Sequence, residues 1–128
     1  MYKRQSWYRV DRFLHRVPYE KTPEVYAACD ILLKTSLLES FSYPPLEMMA
    51  SGGDVVAVPN GGNLEYLKDG ENCILYPQGN LAEAKAAIER ILTDAELRKK
   101  LDTGAEETVK ERNWKRIEPQ ILEQYLGK

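Results

Sequence analysis

Residues 31–58 read ILLKTSLLESFSYPPLEMMASGGDVVAV. The largely apolar runs Ile31–Leu33 and Asp54–Val58 have the length of buried strands. The two prolines between them fit only the first turn of a helix, so they predict a helix that ends at Gly52-Gly53. A strand, a helix and a second strand in this order favour a right-handed crossover between parallel strands.

The same alternation continues on both sides of this stretch. The further predicted elements are a strand at Val10–Leu14, a helix from Thr22 to about Cys29, a short helix around Leu64–Leu67 and a strand at Cys73–Tyr76. Four strands separated by helices predict a parallel sheet covered on both faces. The fold class is therefore α/β, a Rossmann-like three-layer sandwich with about four strands.

Residues 80–128 show only helical periodicity and predict an all-helical tail packed on the sheet domain. Thr93 with Glu96, and Thr103 with Glu106, match the capping box and predict two helix starts. A last amphipathic helix carries an apolar stripe that we interpret as core packing. Its members are Trp114, Ile117, Ile121, Leu122 and Tyr125.

Length and charge limit the possible classes of protein. A chain of 128 residues and 14.7 kDa is one domain, spanning 1–128. With 18 Lys+Arg against 20 Asp+Glu it lacks the basic character of a nucleic-acid-binding protein. It has neither an apolar stretch of membrane-spanning length nor a secretory signal, so we expect a cytoplasmic protein.

Cysteine and histidine are too sparse for a metal site or a disulfide framework. Cys29 and Cys73 are the two cysteines, and we interpret both as buried small residues. His15 is the single histidine, and without a neighbouring carboxylate it fits a polar rim residue better than a general base. No metal is expected.

The loop from Ser36 to Tyr43 is the candidate site. Ligands of such folds bind beyond the carboxyl ends of the strands, and this loop is longer than the usual strand-to-helix connection. Glu39 and Glu47 flank the helix amino terminus, where free amides favour an anion. With 14 glutamates in the chain, chance alone yields such a pair, so its position carries the assignment. A solvated loop residue and a helix-dipole carboxylate remain the alternative.

The segment Glu39-Ser-Phe-Ser-Tyr-Pro-Pro-Leu-Glu47, followed by Val55-Val56-Ala57, closely resembles the E-x7-E segment of glycosyltransferase family 4. The resemblance extends through Gly61-Gly62, Glu65-Tyr66-Leu67, Asp69-Gly70-Glu71-Asn72 and the Trp114 helix. It implies the carboxyl-terminal, donor-binding half of a GT-B fold. The implied enzyme is a retaining hexosyl-type glycosyltransferase that takes its sugar from a nucleotide diphosphate sugar, without metal or other cofactor.

The resemblance also implies a role for individual residues. Glu39 would be the catalytic residue near the reacting centre of the donor sugar, and Glu47 would bind the ribose hydroxyls. Lys34 is a candidate phosphate partner, with a solvated strand-end residue as the alternative. Tyr43 could stack on a ring or cover the first helical turn. The implied backbone donors are Ser40, Phe41, Ser42 and Tyr43, and Arg16 and Val17 would lie by the base.

This chain departs from the family pattern in the loop. Ser40 and Ser42 stand where the family usually has glycine, and Thr35 where proline is common. The Ser-Tyr-Pro-Pro-Leu-Glu version is similar to bacterial transferases of surface polysaccharide assembly. That similarity implies a glycan or lipid-linked acceptor and a location in the cytoplasm or at the inner membrane face.

The family's diphosphate-binding Arg and Lys, and its acceptor domain, would precede residue 1. We therefore expect a truncated domain that is inactive alone. Its first strand would be an exposed edge that either pairs beside Ile31–Thr35 or supports a homodimer. The alternative function is a non-catalytic nucleotide-sugar-binding or assembly module. A receiver-like signalling domain is disfavoured because no aspartate cluster follows the strands.

Overall fold

A three-stranded parallel sheet organises the part of the chain that the structure, a computed structural model, describes: residue 12 and residues 14–127. The strands are β1 (Ile31–Lys34), β2 (Asp54–Ala57) and β3 (Ile74–Leu75). The α-helices are α1 (Thr22–Ala27), α2 (Tyr43–Ala50), α3 (Leu81–Thr93), α4 (Ala95–Glu111) and α5 (Trp114–Leu126), and a single 3-10 turn, Tyr19–Lys21, precedes α1. Strands and helices alternate as predicted from α1 to β2, whereas β3 follows β2 without an intervening helix.

The sheet order is β1-β2-β3, and both pairings are parallel. Ile31 lies opposite Asp54, and Val56 lies opposite Ile74. All four residues of β2 are buried, as expected for the central strand of a sheet covered on both faces. Strands of this kind bring the loops after β1 and β2 to one edge of the sheet.

Two apolar clusters, one on each face, hold the layers together. Because side chains alternate along a strand, Val55 and Ala57 of β2 join one cluster with α2, whereas Val56 joins the other with α3. Leu101 of α4 belongs to the α3 cluster, and Ala105 of the same helix to the α2 cluster. The predicted three-layer Rossmann-like arrangement is confirmed.

The predicted strand at Val10–Leu14 lies largely outside the described residues, and so do its pairing beside Ile31–Thr35 and the dimer edge. The helix predicted around Leu64–Leu67 is wrong, because residues 61–66 form consecutive turns. The backbone N–H of Leu67 donates to the carbonyl of Asn63 at 2.8 Å. The turns retain helix-like bonds without a full helix.

Both predicted capping boxes are wrong. Thr93 is the last residue of α3, and Asp94 caps α4 by accepting from the N–H of Leu97 at 2.9 Å. Thr103 lies inside α4, where its hydroxyl donates to the carbonyl of Lys99 at 3.0 Å. A threonine three residues before a glutamate can also lie inside a helix and donate its hydroxyl to the carbonyl four residues earlier. The spacing of the two residues does not distinguish this arrangement from a capping box.

The stripe on α5 does not pack in the core of the described chain, contrary to the prediction. Trp114 is 68% exposed and Tyr125 is 84% exposed. Periodicity identifies the apolar side of a helix but not what covers it. Cys29 is likewise exposed, whereas Cys73 is buried, and burial raises the pKa of its thiol to about 12. No helix of the described residues is long and apolar enough to cross a bilayer.

Candidate functional site

The loop that joins β1 to α2 lies at the carboxyl edge of the sheet, where the sequence predicts the site. It ends at Ser42, which caps α2 with a left-handed backbone (φ 70°). This conformation favours glycine, and it costs other residues about 1–2 kcal/mol. Ser42 is 4% exposed, and its hydroxyl has no hydrogen-bond partner among the described residues. The loop therefore holds a buried, unsatisfied polar group directly at a helix amino terminus.

The first turn of α2 has few N–H donors. Pro44 and Pro45 occupy its second and third positions and carry no N–H, which leaves Tyr43 as the donor of the first three helical residues. The amides of residues 40–43 make no hydrogen bond to another described backbone group. These amides lie at the positive end of the helix dipole, so the arrangement can bind an anion.

Residues that follow β2 pack against the loop between β1 and α2 and hydrogen-bond to it. The side-chain amide of Asn60 donates to the carbonyl of Ser36 at 3.0 Å, and the hydroxyl of Tyr66 donates to the carbonyl of Ser42. A Cβ atom on Gly62 would lie 2.5 Å from the carbonyl oxygen of Glu39. Only a glycine permits this approach, so the second loop sets the path of the first.

Glu39 forms an ion pair at the carboxyl end of β1. The ammonium of Lys34 donates to the Glu39 carboxylate and to the hydroxyl of Ser36, the latter at 2.6 Å. The hydrogen bond from Lys34, followed by that from Ser36, lowers the pKa of Glu39, so this carboxylate is ionised at neutral pH. The Lys34 side chain is only 14% exposed. Lys34 is thus no solvated residue, and its role toward a phosphate stays a prediction.

Glu47 lies on the second turn of α2 beside a different partner. The hydroxyl of Tyr26 on α1 donates to Glu47 Oε2 at 3.0 Å. Burial, and then Glu47 itself, raise the pKa of Tyr26 to about 12. Both residues line a cavity of about 370 Å³ between α1 and α2, which Tyr19 and Ser51 also line. A carboxylate in the wall of a mainly apolar cavity can accept hydrogen bonds from hydroxyl groups.

The remaining predicted residues to be placed are Arg16, Val17 and Tyr43. Arg16 and Val17 are exposed just before the 3-10 turn, and Arg16 has a left-handed backbone (φ 53°). Tyr43 is exposed, with its ring centroid 5.0 Å from that of Phe41. Their binding roles stay predictions.

The sequence analysis missed Tyr26 as a contributor to the site, and it assigned no individual role to Asn60 or Gly62. Tyr26 lies in the helix predicted from Thr22 to about Cys29, and nothing in its spacing indicates a contact with Glu47. Among the described residues no three His, Cys, Asp or Glu side chains are grouped as a metal site. The metal-free reaction implied by the resemblance stays a prediction.

In a comparison with known protein families, residues 11–108 match the family described as glycosyl transferases group 1. The O-antigen biosynthesis protein RfbC of Myxococcus xanthus is 35% identical over 117 residues, which are 89% of this chain and 9% of that protein. The chain therefore spans less than a tenth of the length of this relative.

Two solved structures have the same fold. HepE of Anabaena in complex with UDP-glucose superposes with a TM-score of 0.75 and 29% identity, over 83% of this chain and 30% of that chain. The carboxyl-terminal domain of the group 1 glycosyl transferase LpcC from Francisella tularensis gives a TM-score of 0.69 at 27% identity, over 78% of this chain and 51% of that one.

Proposed function

This chain belongs to the glycosyl transferases group 1, and from that premise we propose that it binds the nucleotide sugar donor of a retaining glycosyltransferase. The observation that carries the proposal is the amino terminus of α2. The amides of residues 40–43, which make no hydrogen bond to another described backbone group, stand between Glu39 and Glu47 in the sequence. A diphosphate fits the amides, and hydroxyl groups fit the carboxylates on either side.

The nucleoside would occupy the cavity beside Glu47. A volume of about 370 Å³ falls within the range of small-molecule sites. Glu47 would accept hydrogen bonds from the ribose hydroxyls, with Arg16 and Val17 near the base. UDP is the first probe to choose, because the structurally similar HepE was solved with UDP-glucose.

The transferred hexose would lie at the other end, beside Glu39. Cleavage of the bond to the diphosphate leaves positive charge on the sugar ring and negative charge on the leaving group. An ionised Glu39 would stabilise the positive charge on the sugar ring. The amides of residues 40–43, with Lys34 nearby, would stabilise the negative charge on the leaving group. No step requires a metal ion in this scheme.

The acceptor would be a glycan or a lipid-linked sugar of a bacterial surface polysaccharide. This part of the proposal is supported by the likeness to RfbC, an O-antigen biosynthesis protein. Because the chain spans 30% of HepE and 9% of RfbC, the acceptor contacts would come from outside the matched segment. The 128-residue chain alone should bind donor without transferring sugar.

Calorimetric titration of the chain with UDP and UDP-glucose tests the donor site. We expect Glu47→Ala to weaken UDP binding by about tenfold, because hydrogen bonds to a charged group are lost. We expect Glu39→Gln to bind UDP with unchanged affinity. The variant should lose the additional affinity that the unchanged chain has for UDP-glucose over UDP. Glu118→Ala, on an exposed position of α5, is the control and should change neither affinity.

The proposal is wrong if the chain binds none of UDP, ADP, GDP and dTDP. A transfer assay on a transfer-competent form of the enzyme distinguishes the proposed transferase from the alternative function, a non-catalytic binding module. Full transfer by the Glu39→Gln variant would favour that module, because the enzymatic role assigned to Glu39 would then be absent.

A further inference from the structure

Tyr26 is the described side chain that hydrogen-bonds the Glu47 carboxylate. It lies on α1, 21 residues before Glu47, and its hydroxyl reaches Oε2 at 3.0 Å. Its ring packs against the apolar cluster that includes Met48 and Met49, so the phenol is anchored by burial on one side. Tyr26 therefore combines a fixed ring with a hydroxyl aimed at a carboxylate of the candidate site.

This hydrogen bond restricts the carboxylate of Glu47. A glutamate side chain loses up to about 2 kcal/mol of rotamer entropy when it is held in one conformation. Here the bond to Tyr26 holds Oε2, one of the two carboxylate oxygens. With a pKa raised to about 12, the phenol remains a neutral donor throughout the physiological range. The carboxylate is thus oriented before a ligand arrives.

We propose that Tyr26 is a positioning residue that orients Glu47 toward the ribose of the donor and so sets the preference for ribonucleotides over 2′-deoxyribonucleotides. The inference rests on the proposed function, since it takes Glu47 as the ribose-binding group. A carboxylate held in one orientation can meet a pair of neighbouring hydroxyls, whereas a mobile one gains less from the second hydroxyl.

A purely structural role for Tyr26 makes a different prediction. The ring fills space between α1 and α2, and this packing would be kept by phenylalanine. Loss of packing would weaken all ligands of the cavity alike, because it does not depend on the sugar hydroxyls. The ratio of the dissociation constants for 2′-deoxy-UDP and UDP therefore distinguishes positioning from packing.

The test titrates the 128-residue chain and its variants with UDP and with 2′-deoxy-UDP. We expect Tyr26→Phe to weaken UDP binding by about three- to tenfold and 2′-deoxy-UDP binding less, so that the ratio falls toward one. In the background of Glu47→Ala, adding Tyr26→Phe should cause no further loss. Tyr125→Phe removes a hydroxyl from an exposed ring on α5 and is the matched control.

Two results would overturn the inference while leaving the proposed function in place. One is a Tyr26→Phe variant with the ratio of the unchanged chain, and the other is a further loss when Tyr26→Phe is added to Glu47→Ala. If Glu47→Ala itself binds UDP as well as the unchanged chain does, the ribose role of Glu47 fails and the inference fails with it.

Discussion

Single residues determine how closely the two loops of the site approach each other. Ser42 takes a left-handed backbone at a position where the resembled family usually has glycine. Gly62 is buried against the loop between β1 and α2, and the carbonyl of Glu39 lies too close to leave room for a Cβ atom. The conformation of the loop after β1 therefore depends on its own strained residue, Ser42, and on the glycine packed against it, Gly62.

Replacing Gly62 should disturb both stability and donor binding. In Gly62→Ala the new Cβ would lie 2.5 Å from Glu39 O and 2.8 Å from the Phe41 amide nitrogen, so the loop must move. We expect the free energy of unfolding to fall by about 1–3 kcal/mol. UDP affinity should fall as well, because the amides of residues 40–43 are displaced. Chemical denaturation and calorimetry measure the two effects.

The neighbouring glycine is the control. A Cβ on Gly61 would meet nothing within 4 Å, so Gly61→Ala should change the free energy of unfolding by no more than about 0.5 kcal/mol. Equal effects of the two substitutions would contradict the close approach as the cause.

At the scale of elements, α4 connects the two cores with the loops around the sheet. Asn72 donates to the hydroxyl of Thr108 at 2.8 Å, and Arg112 donates to the carboxylate of Glu65 at 2.6 Å. Gly104 lies where α4 crosses the chain near Glu71. Fixed by these contacts, α4 continues past Thr103, where the sequence pattern predicts a new helix start.

Gly104→Ala should destabilise the protein although alanine is the better helix former. In an isolated helix this change would stabilise by up to about 1 kcal/mol. Here the Cβ would lie 2.2 Å from the carbonyl oxygen of Glu71, and α4 would have to shift. We expect a net loss of about 1–3 kcal/mol in urea denaturation. Thr103→Ala, exposed on the same helix, should be neutral or slightly stabilising. A stabilised Gly104→Ala variant would refute the contact.

At the scale of the whole molecule, one buried carboxylate ties the sheet to α4. Asp54 begins β2 with a side chain only 2% exposed, and Arg98 Nε lies 3.0 Å from its Oδ2. Arg98 also lies 3.8 Å from Asp30, just before β1. Burial, and then the charge of Asp102, raise the pKa of Asp54 despite the opposing effect of Arg98.

This raised pKa predicts the direction of a pH effect on stability. Between the usual aspartate pKa and the raised one, the folded chain binds the proton of Asp54 more tightly than the unfolded chain does. The contribution of Asp54 to the free energy of unfolding therefore falls as pH rises through that interval. In Asp54→Asn this fall should be absent, so the free energy of unfolding of the unchanged chain should decrease relative to that of the variant as pH rises.

Urea denaturation at several pH values between about 4 and 7 measures the two slopes. Glu118→Gln, a charge removal at an exposed position, should leave the slope unchanged. Parallel curves for the unchanged chain and Asp54→Asn would show that the Asp54 pKa is not raised by folding.

The sequence by itself determined the α/β class and the elements β1, α2 and β2, and it indicated the segment that carries the candidate site. Apolar periodicity, the proline pair and the glycine stop are local signals, and local signals suffice for β1, α2 and β2. They do not suffice where a residue has two local uses, as Thr93 and Thr103 do, or where an apolar face needs a partner, as on α5.

Only the tertiary structure decided which groups surround the two glutamates. Tyr26 reaches Glu47 across 21 residues of sequence, and Gly62 lies under Glu39 after a separation of 23. Even Lys34, five residues from Glu39, pairs with it because the loop turns back over the end of β1. Such contacts depend on how helices and strands cross, and the packing of the whole core sets those crossings.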